Sequence, residues 1–153
     1  MMLEELLRPE TININLESED KDEVFEEMTE LFVASCPGLD RSEVLDSLFE
    51  REKKMSTGII QGIAIPHAIT AKIKKPICAV GISKEGIDYE ALDGKPVHII
   101  FMFLFPADDA ALHLNILKRL ALMFDVPDFY KSLMDKNSCA QVVQAIVQAE
   151  QSL

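Results

Sequence analysis

From Thr11 to Leu16, "TININL" alternates polar and apolar residues, with Ile12, Ile14 and Leu16 in step. That period of two predicts a half-buried strand. The period then lengthens. In "SEDKDEVFEEMTELFVAS", Val24, Phe25, Met28, Leu31 and Phe32 fall on one face of a helix whose leading acids suit the positive end of its dipole. "CPGLD" breaks that helix, and Asp40 with Glu43 reads as a capping box opening a second one through Val44, Leu45, Leu48 and Phe49. Arg51, Lys53 and Lys54 close it, cations at the carbonyl end.

Three strands are predicted next, over Gly62–Pro66, Ile77–Ser83 and Val97–Phe105, with "KEGIDYEALDGKP" as an exposed hairpin-type connection turning at Asp93-Gly94. "VHIIFMFLF" is apolar at successive positions, so its strand lies centrally and is covered on both faces. Asp108 and Asp109 start a helix with His113, Ile116, Leu117, Leu120 and Phe124 at core spacing. Asp125 and Pro127 suit a short helix to Met134, and Ser138 with Gln141 caps a last one carrying Val142, Val143, Ile146 and Val147. Helices flank strands without a regular β-α-β alternation. The fold class read from this order is α/β, with a mixed β-sheet sandwiched between helices. No repeat or linker divides the chain, so residues 1–153 are expected to form a single domain.

Charge and composition narrow the partners. A formal net charge of −11 opposes binding to nucleic-acid phosphates and suits a partner with a basic face. Cys36, Cys78 and Cys139 are far apart, with no CxxC or Cys/His metal spacing, as in a reduced cytoplasmic protein. "MMLEELLRPE" has no apolar signal region, and the apolar run Val97–Phe105 falls short of the ~20 residues a bilayer requires. Any membrane role is expected to come through another protein.

Candidate chemistry gathers at "STGIIQGIAIPHAI", Ser56 to Ile69. Pro66 fixes its own φ and pushes Ile65 towards the extended region, so a strand ending "IAIPH" would present His67 on a stiff stalk at the sheet edge. Gly58 and Gly62 would let backbone approach a bound group. Ser56 and Thr57 offer hydroxyl donors, and Arg51 is a permanently charged fork matched to phosphoryl oxygens. A neutral imidazole held through one nitrogen is a good nucleophile near pH 7 at the other. A nucleophile aimed at a phosphoryl group fits these pieces best. Taken singly, each has a plainer reading: His67 as a strand-end histidine satisfied by a carbonyl, Arg51 as a helix C-terminal charge, Ser56 and Thr57 as loop polars. His113 is either a satisfied core histidine or, near a helix N-terminus, a donor to an anion. His98 opens a buried strand and reads as structural. "GIIQG" lacks a P-loop ending, no GxSxG or GxGxxG is present, and three scattered histidines suggest no metal site.

At "LFEREKKMSTGIIQGIAIPHAI" the chain resembles the enzyme IIA component of the bacterial phosphoenolpyruvate-dependent sugar phosphotransferase system, in its fructose/mannitol class, which includes a nitrogen-regulatory branch. The resemblance runs from about Leu6 to the C-terminus, with the core of the domain over about residues 6–150. It is carried by RE-x-x-x-STG…G-x-AIPH, "KEGIDYEALDGKPVHIIFMFLFP" and "ALHLNILKRLALMF". It implies a cytoplasmic phosphotransferase in which His67 is phosphorylated by phospho-HPr and passes the group to an enzyme IIB, with membrane enzyme IIC in trans. Arg51 would stabilise the phosphoryl group, His113 would support, and Ser56 and Thr57 would be substrate-binding hydroxyls. Neither a metal nor an organic cofactor is implied. Ile60 stands where the family often has glycine, and the basic residue common after the active histidine is missing from "HAITAKIKK". A regulatory module, gripping partners according to its phosphorylation state, is the alternative, and a degenerate homologue that accepts no phosphoryl group is a third.

Overall fold

A computed structural model describes residues 1–153. Strand β5, Val97–Pro106, is the centre of the molecule, and Ile99 to Phe105 are all fully buried. Its period of two splits the core. Ile99, Phe101, Phe103 and Phe105 face one cluster, while Ile100, Met102 and Leu104 face the other. Helices α1 (Lys21–Ser35) and α2 (Arg41–Lys54) cover the second face, burying Val24, Phe25, Met28, Phe32, Val44 and Leu48. Helices α3 (Ala110–Met123), α4 (Phe129–Met134) and α5 (Cys139–Gln151) cover the first, together with the N-terminal 3-10 turn Leu3–Leu6. No helix is long and apolar enough to cross a membrane.

The sheet is mixed. β4 (Ile77–Ile87) runs antiparallel to β5, and the short β1 (Ile12–Asn13) lies parallel to β4. On the other side of β5, β2 (Ile63–Ala64) and β3 (His67–Thr70) pair with it in succession, both parallel. The expected order of helices and strands, the central β5 and the sandwich are all present. Asp20, Asp40, Asp109 and Ser138 accept backbone N–H groups at the starts of α1, α2, α3 and α5.

Four local expectations are corrected. The strand at Thr11–Leu16 pairs only over Ile12–Asn13, although the Leu16 amide still reaches the Ile82 carbonyl at 3.0 Å. The segment after Ser83 is an exposed connection only in its second half: β4 continues to Ile87 and Tyr89 is fully buried, while Leu92 to Pro96 are exposed and turn at Gly94 as expected. The helix expected from Asp125 starts at Phe129 behind Asp128, which adopts a left-handed φ of 66° and makes no side-chain cap. His67 does not end a strand but begins one: Pro66 has no N–H to give to the ladder, so pairing lapses there and resumes at His67 opposite Phe103.

Candidate phosphoryl-acceptor site

His67 lies where both helical layers reach one edge of the sheet. The Pro66 carbonyl accepts from the Phe103 amide at 3.0 Å, which fixes the entry into β3, and β3 pairs with β5 alone. α2 arrives from one layer with Arg51 in its last turn, and α3 from the other with His113 in its first turns. A cleft there is lined by Asp46, Ser47, Glu50, Arg51, Lys54, His67, Ala68, Ile69 and His113.

Both nitrogens of the His67 ring are engaged. Nδ1 is 2.9 Å from the Ile65 carbonyl, and Arg51 Nε lies 3.2 Å from Nε2. Arginine keeps its protons, so Nε2 must be the acceptor and Nδ1 the N–H that donates to Ile65. The network therefore selects one neutral tautomer and leaves the nucleophilic lone pair on Nε2, facing the guanidinium. Burial holds His67 below its ordinary value of 6.5, with the Ile65 carbonyl opposing, Arg51 lowering it further and Glu52 raising it. Arg51 Nη1 also donates to the Met55 carbonyl at 3.1 Å, satisfying the end of its own helix.

His113 stands edge-on to His67, with ring centroids 5.5 Å apart and planes at 83°. Its ring packs on Phe105 at 3.8 Å, and its Nε2 is buried without a hydrogen-bond partner. An orphaned buried nitrogen is costly, and an incoming oxyanion is the kind of group that would satisfy it. Burial, then the neighbouring His67 and Arg51, hold His113 below 6.5 as well. Two neutral imidazoles and one guanidinium around an open edge can receive a phosphoryl group and spread its charge.

The structure thus brings His67, Arg51 and His113 together but not the two hydroxyls. Thr57 is buried and committed elsewhere: its Oγ donates to Glu52 Oε1 at 2.6 Å and lies 2.8 Å from the Tyr89 hydroxyl. Ser56 Oγ accepts from the Gly58 amide at 3.2 Å. Neither lines the cleft. The glycines also serve the chain rather than a ligand. A Cβ on Gly58 would come within 2.8 Å of the Ala91 Cβ, and Gly62 adopts φ +77° with Tyr130 against it. His98 is structural, its Nδ1 2.9 Å from the Ser83 carbonyl. Sequence reasoning missed Glu52 beneath Arg51. Its signal was an acid four residues beyond Leu48 and eight beyond Val44, on the stripe that α2 buries.

The family described as "Phosphoenolpyruvate-dependent sugar phosphotransferase system, EIIA 2" matches residues 5–149. The chain is 38% identical over 148 residues to the fructose-specific EIIABC component of Bacillus subtilis, covering 97% of this chain and 23% of that protein. It is thus similar to under a quarter of that relative's length. The crystal structure of nitrogen regulatory protein IIA-Ntr from Neisseria meningitidis superposes with a TM-score of 0.87 at 35% identity, covering 94% of this chain and 98% of that one. Enzyme IIA-Mtl, solved in complex with phosphorylated enzyme IIB-Mtl from Escherichia coli, shares the fold at TM-score 0.77 and 17% identity, covering 93% and 97% of the two chains.

Proposed function

The chain belongs to the EIIA 2 family of the phosphoenolpyruvate-dependent sugar phosphotransferase system, and on that premise we propose that it relays a phosphoryl group through Nε2 of His67. The observation that carries this reading is the ring's double tether, with Nδ1–H on the Ile65 carbonyl and Nε2 turned to Arg51. Phospho-HPr is the donor. As it docks, the Arg51 N–H leaves Nε2 for the phosphoryl oxygens, and the freed lone pair attacks phosphorus in line. The new N–P bond forms while the donor's N–P bond breaks, its electron pair returning to the donor ring. The Nδ1 proton stays in place, so the phosphorylated ring carries a positive charge that the Ile65 carbonyl steadies and that keeps the ring a good leaving group. His113 donates to the same oxygens. Transfer onward to an enzyme IIB repeats the step in reverse polarity, with the pair returning to Nε2. Positioning and charge carry the rate, because phosphoryl transfer passes through a loose transition state.

Residues 1–153 act as one EIIA-type domain in the cytoplasm, feeding sugar uptake and phosphorylation through IIB and a membrane IIC in trans. The fructose-specific relative favours this over the regulatory alternative suggested by the nitrogen regulatory proteins. Incubation with labelled phosphoenolpyruvate, enzyme I and HPr tests the relay. One acid-labile phosphoryl group per chain, transferable to an enzyme IIB, is expected, and a chain that takes no label overturns it. Capture of a regulator selective for the unphosphorylated form, with no transfer to any IIB, would reverse the preference between the two roles.

A further inference from the structure

Glu52 is one residue past Arg51, and its side chain is buried among Lys21, Thr57 and Tyr89 and does not line the cleft. Its carboxylate accepts the Thr57 amide at 2.9 Å and the Thr57 hydroxyl at 2.6 Å. It also accepts the Tyr89 hydroxyl at 3.2 Å and pairs with Lys21 Nζ at 3.1 Å. The Lys21 ammonium sits 4.7 Å from the centre of the Tyr89 ring, so the charge of the acid is balanced within the cluster. A buried carboxylate tolerates its surroundings only when it is satisfied in this way.

What sets this cluster apart is where its bonds lead. The Thr57 carbonyl accepts from the Ile65 amide at 3.1 Å, and the Ile65 carbonyl holds His67 Nδ1 at 2.9 Å. On the other side, Arg51 is the chain neighbour of Glu52, and its guanidinium bridges the Met55 carbonyl and His67 Nε2. The Ile65 side thus runs by hydrogen bonds to the Glu52 carboxylate, while the Arg51 side runs to the Met55 carbonyl, which lies in the short loop that the Glu52–Thr57 bonds close. We infer that Glu52, acting through Thr57, is the positioning residue of His67, holding the Ile65 carbonyl and the Arg51 guanidinium at their separation across the ring. Tyr89 and Lys21 hold the carboxylate itself. Glu52 does not touch the phosphoryl group; its effect is on which nitrogen carries the proton and how the other meets the cleft. The consequence for rate rests on the phosphoryl relay proposed above, whereas the consequence for the ring does not.

Nitrogen-15 NMR of the histidine rings in the free protein, paired with single-turnover phosphorylation at saturating phospho-HPr, separates positioning from mere support of the fold. Glu52→Gln and Thr57→Val are compared with Thr57→Ser and with Ile146→Val, a core change beneath α5. In the wild type and in Ile146→Val, His67 is expected to show a single tautomer protonated at Nδ1. In Glu52→Gln and Thr57→Val the two ring nitrogens should move towards each other in shift as the tautomers mix. The saturated rate should fall on the order of 10- to 100-fold, the scale of a misplaced reacting group, with the half-saturating donor concentration unchanged. Thr57→Ser should restore both. Where Glu52→Gln does not fold, Thr57→Val carries the test, since it deletes one hydroxyl and keeps the backbone groups. Folded variants with unaltered His67 ring shifts overturn the inference. A wild-type chain that shows the single tautomer yet takes no label overturns the relay and leaves the positioning role standing.

Discussion

His67 and His98 lie towards opposite ends of β5, one paired opposite Phe103 late in that strand and the other near its start. Each is tied by Nδ1 to a backbone carbonyl at 2.9 Å, Ile65 in one case and Ser83 in the other. The tether is thus the same and cannot be what distinguishes them. The second nitrogen does. Nε2 of His67 meets a guanidinium at an edge where two helical layers converge and a second histidine has an unsatisfied nitrogen. The groove beside His98 has Ile60, Gly62, Lys95, Pro96, Phe124 and Tyr130 in its lining, and holds neither an arginine nor another histidine. A carbonyl tether prepares an imidazole for chemistry, and the company of its free nitrogen decides whether there is any to do.

The sharpest way to break that comparison is to delete each ring. His67→Ala is expected to abolish labelling from phosphoenolpyruvate, while His98→Ala labels as the wild type does and loses about 1 kcal/mol of stability with its one hydrogen bond. Label on His67→Ala, or its loss from His98→Ala with the fold intact, would exchange the two roles. Next in size is Arg51→Ala. Removing a charged donor from the transition state should slow single-turnover phosphorylation by about 10²- to 10³-fold, and a rate near wild type would remove Arg51 from the site. Arg51→Lys should rescue little, because one ammonium cannot span both the Met55 carbonyl and His67 Nε2.

His113→Ala should still be labelled, with transfer slowed roughly tenfold, the equivalent of ~1.4 kcal/mol at the transition state. Unchanged kinetics in both directions would return His113 to the core. The smallest effect is in titration. His67 is held below 6.5 chiefly by burial, so NMR should find its midpoint under that value. As pH falls, the unfolded ring therefore binds a proton before the folded one. The contribution of neutral His67 is fully present above about 6.5 and is lost as pH falls through the lowered folded value. Denaturation midpoints should drop over that window, and less steeply in His67→Ala. A ring midpoint at or above 6.5 would contradict the burial argument.

Much of the layered fold was legible because periodicity is local. The stripe through Val24, Phe25, Met28 and Phe32 requires a helix face, and an apolar run such as Val97–Phe105 requires cover on both sides. The lapse of pairing at Pro66 was half legible: the proline announced an irregularity, but whether His67 ended one strand or began another depended on which β5 amide the Pro66 carbonyl would accept. The burial of Tyr89 was not legible, since the residues that enclose it come from α1 and α2. The two buried acids had a readable signal. Glu52 and Glu150 both lie on apolar stripes, four residues past Leu48 and Ile146. One accepts the amides of Leu3 and Glu4 and pairs with Arg119, stapling the N-terminal turn. The other accepts the amide of Thr57, through which His67 is held. Nothing in their spacing tells them apart.

The sequence by itself settled the kinds of element, the central strand and the residue types able to handle a phosphoryl group, because those follow from side-chain period and intrinsic chemistry. Only the tertiary structure decided which of them meet. It joined Arg51 and His113 across the sheet edge to His67, withdrew Thr57 into the core, and named Ile65 as the carbonyl that sets the tautomer. Those relations link residues as much as 46 positions apart, His67 to His113, and ring contacts and hydrogen bonds act over a few ångströms whatever the chain separation.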